Sequence, residues 1–162
     1  MPFEKTFIVS ELPWKTKGFR AACRWVVIDE NGQVPLIFDS YKKWYKLPWW
    51  WIEWDESKVE AFRREIEEET WCEIEDIKEI CKVIEKDSDW EQINYCFIWR
   101  IINKWEPHFT EKEIERWCEL KWVSLDEAVS LIKNEEATTD ESKLKREREF
   151  YILEKSYLEL KK

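Results

Sequence analysis

The chain has 162 residues, 44% of them hydrophobic and 39% charged, a length and apolar content that suit a single domain over residues 1–162 with its own core. Its 27 Lys+Arg against 36 Asp+Glu give a net charge of -9, which argues against broad binding to a nucleic-acid backbone. No apolar run approaches the length of a membrane span, and Met1-Pro2-Phe3-Glu4-Lys5 carries no apolar h-region, so neither membrane insertion nor secretion is expected.

An extended piece from Lys5 to Val9 leads to Gly18. Phe19 to Ile28, rich in Val and Ile, reads as a strand. Asp29-Glu30-Asn31-Gly32 reads as a hairpin turn, with Val34 to Phe38 as the partner strand. Tyr45-Lys46-Leu47 is a short extended piece stopped by Pro48. Ser57 and Glu60 form a capping box that opens a helix to about Thr70, with Val59, Phe62 and Ile66 as its buried stripe. Ile77–Ile84, Ile93–Ile102 and Cys118–Val123 read as further strands. Ser124 caps a short helix through Ile132, with Glu127 at the capping-box position, and Asn134 to Asp140 is a polar link. The last helix, about 142–160, places Phe150, Leu153, Tyr157 and Leu160 on one face. Strands, helix, strands, helix, helix predicts an α/β fold: a mixed sheet covered by helices.

The five cysteines, at 23, 72, 81, 96 and 118, form no C-x-x-C pair and are expected to be reduced, in a cytoplasmic protein. A second count is abnormal. The chain holds 13 Trp and 2 Gly, where ordinary usage predicts about 11 glycines.

The helix opened by Ser57 carries Glu65, Glu68 and Glu69, which spacings of three and four set side by side on one face. Like charges at that spacing repel, so folding alone gives no reason to cluster them. A hard divalent cation bound through carboxylate oxygens does give one.

Counted backwards, Arg64 precedes Glu65, Glu56 lies eight residues before Arg64, and Leu47-Pro48 opens the turn ahead of it. This pattern resembles the Nudix box of MutT-like hydrolases, G-x5-E-x7-R-E-U-x-E-E-x-G-U, where U is aliphatic. Glu56, Arg64, Glu65, Ile66, Glu68 and Glu69 fit it over residues 50–72, with Cys72 at the last U. Leu47-Pro48, Ile52-Glu53 and Trp122-Val123-Ser124-Leu125-Asp126-Glu127-Ala128 match the flanks, so the resemblance covers residues 19–132. Both box glycines are tryptophan here, Trp50 and Trp71, and the family's Gly-rich loop reads Trp49-Trp50-Trp51. Trp14, Trp25, Trp44, Trp54, Trp90, Trp105 and Trp117 stand at further plausible glycine sites. Reading these eleven as glycine turns 13 Trp and 2 Gly into 2 Trp and 13 Gly, an ordinary composition. The expectation is a codon, such as a reassigned stop codon, that the source reads as glycine. A loop of this kind is expected to need positive φ, which glycine tolerates freely.

The resemblance implies a Nudix-type α/β/α sandwich with a catalytic strand-loop-helix, and hydrolysis of a nucleoside diphosphate linked to another group by water attack at phosphorus. It implies that Glu65, Glu68 and Glu69, with the carbonyl of Trp49, hold Mg2+ or Mn2+. Arg64 would orient Glu65, and Glu56 would be a structural or outer partner. In this family the general base is a box glutamate or an acidic residue on a later loop, for which Glu111 and Glu113 are candidates. His108 is expected at the surface, and Tyr41, Tyr45 and Phe109 are aromatic candidates for stacking on a base. The expected partner is a small nucleotide, weakly favouring a nucleoside triphosphate or dinucleoside polyphosphate because no long N-terminal extension is present. The expected state is monomer or homodimer. The alternatives are a catalytically inactive Nudix-fold nucleotide-binding or sensing module, and a mis-decoded chain inactive as written.

Overall fold

A computed structural model describes residues 2–9, 18–53, 55–63, 77–101, 111–115 and 118–162. In chain order the elements are β1 (Phe3–Ile8), β2 (Gly18–Ile28), β3 (Gln33–Asp39), β4 (Trp44–Lys46), β5 (Trp49–Trp51), α1 (described over 58–63), β6 (Lys78–Lys86), β7 (Trp90–Arg100), α2 (Glu111–Glu115), β8 (Cys118–Ser124), α3 (Leu125–Lys133) and α4 (Asp140–Leu160). The strands form a five-stranded mixed sheet, order β1-β6-β7-β2-β5, and a three-stranded antiparallel sheet, order β4-β3-β8. The parallel pairs are β1 with β6 and β2 with β7.

Period-two alternation along β2 sends its residues to two different cores. Cys23, Trp25 and Val27 join Phe97, Trp99 and Phe62 of α1 on one face. Val26 and Ile28 join Ile80, Val83, Cys96 and Ile98, and Ile152 and Leu153 of α4, on the other. The mixed sheet is thus covered by α1 on one side and by α4, which packs on α3, on the other. Cys23, Cys81 and Cys96 are buried free thiols. Burial pushes the Cys96 thiol well up, which keeps it protonated.

Three expectations are corrected. The turn at 29–32 is present, with Gly32 at φ 73° and the Gln33 carbonyl accepting from the Asp29 N–H at 3.0 Å. Its return strand β3, however, does not pair with β2, which pairs with β7 along 18–28 and with β5 at 22–24; β3 passes into the second sheet, between β4 and β8. Val59 is 41% exposed, and Ala61 and Phe62 form the buried part of the described α1. On α4 the fully buried line is Lys145, Glu149, Ile152, Leu153 and Ser156, whereas Phe150, Tyr157 and Leu160 are half-buried at its margin. Two ionic residues on the buried face of α4 are the feature that hydrophobic periodicity does not reveal.

Candidate active site

The strand-loop-helix starts at β4, which Pro48 ends. The Pro48 carbonyl accepts from the Trp25 N–H at 3.3 Å, and the Ile52 N–H donates to the Ala21 carbonyl at 3.0 Å. Between these ties β5 pairs antiparallel with β2, Trp49 opposite Arg24 and Trp51 opposite Ala22. The loop then reaches Ser57, where the capping box forms both its bonds. The Glu60 N–H donates to Ser57 Oγ at 3.2 Å, and the Ser57 N–H donates to Glu60 Oε2 at 3.0 Å. α1 is held against the sheet by Phe62, whose ring lies 4.5 Å from Trp99, 4.7 Å from Phe97 and 5.8 Å from Trp50.

The tryptophan triplet alternates like any strand. Trp49 and Trp51 meet edge to face at 4.8 Å on the α4 side, over Arg24 and Arg20 respectively. Trp50 points to the α1 side, 5.6 Å from Trp25. The expectation of positive φ here is not met: among the described non-glycine residues only Lys43, at φ 56°, has it. The ladder with β2 holds the triplet in extended backbone that any residue adopts. The indole N–H groups of Trp50 and, on β7, Trp99 are buried with no hydrogen-bond partner among the described residues.

Glu56 is half-buried on the loop before α1. It lines an open cavity of about 620 Å³ with Glu53, Lys58, Tyr95, Phe19 and Trp51. Arg64, Glu65, Glu68, Glu69, Trp71 and Cys72 lie outside the described residues, as do His108 and Phe109. Glu111 is exposed at the start of the five-residue α2, which also carries Glu113. Tyr41 is 75% exposed. Tyr45 is engaged in the second sheet, 4.9 Å from the Phe38 ring and accepting from Lys121 Nζ at 3.3 Å. Trp122 is half-buried at the edge of the α1-side core.

Sequence reasoning missed a buried polar network on the α4 side. Arg24 donates from Nε to Asn94 Oδ1 at 2.9 Å and from Nη1 to Glu149 Oε1 at 3.0 Å. Arg148 reaches the same Glu149 oxygen at 2.8 Å and Glu85 at 2.8 Å. Lys145 pairs with Glu135 at 2.5 Å. Burial opposes the charge of Glu149, but Arg24, Arg148, Lys145 and the Leu47 N–H outweigh it and hold the carboxyl below its usual value. Burial, aided by Arg148, lowers Arg24 to about 10. The available signal was a strand cation, Arg24, among apolar residues, together with charges at i, i+4 on α4; both read equally well as solvated surface. Above the network lies a cavity of about 240 Å³ lined by Arg24, Trp44, Trp49, Trp51, Lys145 and Arg148, among others. It pairs cationic groups with flat aromatic faces beside the loop.

A mixed sheet covered on both sides, with a strand-loop-helix pinned across its centre, defines an α/β/α sandwich. The family model described as NUDIX domain matches residues 18–146. The chain therefore belongs to the Nudix family and is a Nudix hydrolase by that membership. Among curated proteins none matches it. Solved structures similar to it include MutT NUDIX hydrolase from Burkholderia pseudomallei, at 21% identity and TM-score 0.51, over 81% of this chain and 98% of that one. Another is a MutT protein from Methanosarcina mazei Go1, at 21% identity and TM-score 0.50, over 82% and 96%. The E. coli ORF135 protein aligns at 15% identity and TM-score 0.52, over 71% and 80%. At such identities the likeness speaks to the fold, which is the one expected. Among the described residues no helix is long and apolar enough to cross a membrane.

Proposed function

We propose that the protein hydrolyses a nucleoside diphosphate linked to another group, in a Mg2+-dependent reaction with water attack at phosphorus. The observation that carries this reading is the joint spacing of Glu56, Arg64, Glu65, Glu68 and Glu69 inside the family-matched segment. Glu65, Glu68 and Glu69, with the Trp49 carbonyl, make an all-oxygen donor set that suits Mg2+, or Mn2+ in its place. When bound, the metal offsets diphosphate charge and lowers the pKa of a coordinated water. Arg64 orients Glu65, Glu56 supports the loop, and the proton goes to a box glutamate or to Glu111 or Glu113. With its reduced cysteines, the protein works in the cytoplasm, as a monomer or homodimer.

We also infer that the eleven tryptophans at glycine sites are glycine in the protein its source makes. The composition supports this, and so does the buried indole N–H of Trp50, which has no hydrogen-bond partner among the described residues. Tryptic peptides of the natural protein should carry glycine mass at 49–51; tryptophan mass there would sink the idea.

One experiment tests the activity. The chain as written and its eleven-glycine counterpart are assayed for phosphate release from a panel of nucleoside di- and triphosphate derivatives, with Mg2+ and with chelator. Metal-dependent release by either supports the hydrolase. A folded glycine protein that binds nucleotides and releases nothing would favour the inactive binding module.

A further inference from the structure

β4 is the edge of the three-stranded sheet and gives its paired side to β3. Two carboxylates from the α3–α4 region take the amides of residues 45 and 47 in place of a neighbouring strand. The Tyr45 N–H donates to Glu135 Oε1 at 2.5 Å, and the Leu47 N–H donates to Glu149 Oε2 at 3.0 Å. Leu47 and Glu149 are both fully buried. The second oxygen of Glu149 accepts from Arg24 and from Arg148, and the Arg24 guanidinium lies 5.4 Å from the Trp49 ring centre. Glu149 therefore holds the amide of Leu47 directly, and the Arg24 bonded to the same carboxylate lies on β2 opposite residue 49. On the other side, the Pro48 carbonyl is taken by the Trp25 N–H.

We propose that Glu149 is a positioning residue for the box loop: it fixes Leu47-Pro48 and thereby the direction of the Trp49 carbonyl. This rests on the reading that assigns that carbonyl to the metal. A buried ionic cluster is a poor device for stability alone, since apolar residues of similar volume serve as well or better. Here one member of the cluster is aimed at a backbone amide two residues before the proposed ligand. Glutamine cannot substitute. Turned to accept from the arginines, its NH2 faces the Leu47 N–H; turned the other way, its NH2 faces two guanidinium groups. Aspartate keeps the charge balance but draws the oxygen back from Leu47.

The test uses the full chain with Glu149→Asp, Glu149→Gln and, as a control within the same network, Glu85→Gln. The readouts are hydrogen exchange at the Leu47 amide and Mn2+ binding followed by electron paramagnetic resonance. Glu149→Asp is expected to speed Leu47 exchange and to weaken Mn2+ binding about 10-fold, the scale on which partners behind a ligand act. Glu149→Gln is expected to do at least as much. Glu85→Gln, at a similar loss of urea resistance, should leave Leu47 exchange and Mn2+ affinity within about twofold of wild type, as expected for a partner not bonded to the loop. Equal effects from Glu85→Gln and Glu149→Asp would overturn the proposal, as would unchanged Leu47 exchange in both Glu149 variants. Unweakened Mn2+ binding in a Glu149→Asp protein with a fast Leu47 amide would overturn the link to the metal. Should wild type itself bind no Mn2+, the metal assignment fails and the link from Leu47 to the metal fails with it. The exchange data still decide whether Glu149 holds Leu47.

Discussion

Replacing Phe62 by alanine should be among the most damaging single changes in the chain. Its side chain is fully buried between α1 and the mixed sheet, and truncating such a phenylalanine costs about 3–5 kcal/mol. Its ring lies 4.5 Å from Trp99 and 4.7 Å from Phe97, and aromatic pairs add about 0.5–1.5 kcal/mol beyond area. That places the loss in the upper half of the range, about 4–5 kcal/mol. Val59, three residues earlier and 41% exposed, should lose under about 1 kcal/mol on the same truncation. With a urea slope near 2 kcal/mol/M, Phe62→Ala should lower the unfolding midpoint by roughly 2 M and Val59→Ala by less than about 0.5 M. Equal shifts for the two variants, or a Phe62→Ala shift under about 0.5 M, would refute the view that Phe62 anchors the helix.

Other outcomes follow from the same geometry. Glu149, which burial alone would push up, is held below its ordinary 4.5 by Arg24, Arg148, Lys145 and the Leu47 N–H. Its contribution to stability is present above that value and lost as pH falls through the depressed one. The wild-type urea midpoint should therefore fall on acidification, and Glu149→Gln should flatten that limb; parallel curves would contradict the assignment. Glu65→Gln should cut metal-dependent hydrolysis by roughly 10²-fold or more, the scale of losing a catalytic carboxylate. If a box glutamate is the base, Glu111→Gln should change kcat by less than about threefold; a loss of about 10² would move the role to Glu111. Gly32 sits at φ 73° with open space where a Cβ would stand, so Gly32→Ala should cost about 1–2 kcal/mol through the backbone alone, read from thermal or urea unfolding.

Much was legible in the residues themselves. The capping box at Ser57 and Glu60, the turn at Asn31-Gly32, and the strands at 19–28 and 93–100 are set by local chemistry: side chains bonding nearby amides, or a period that fits one backbone. The box spacing is likewise local in the sequence, although Arg64, Glu65, Glu68 and Glu69 lie outside the described residues. What lies far apart in the chain was decided by tertiary structure. β3 leaves its hairpin to pair with β4 and β8 in the second sheet, which no turn signal reports. Val59 faces water and Phe62 the core because of where α1 docks, not because of their spacing. Above all, Arg24, Asn94, Glu85, Arg148 and Glu149 meet only when α4 crosses the sheet. A buried charge is tolerated only beside its partner, and a sequence gives each charge without saying which distant residue will stand next to it.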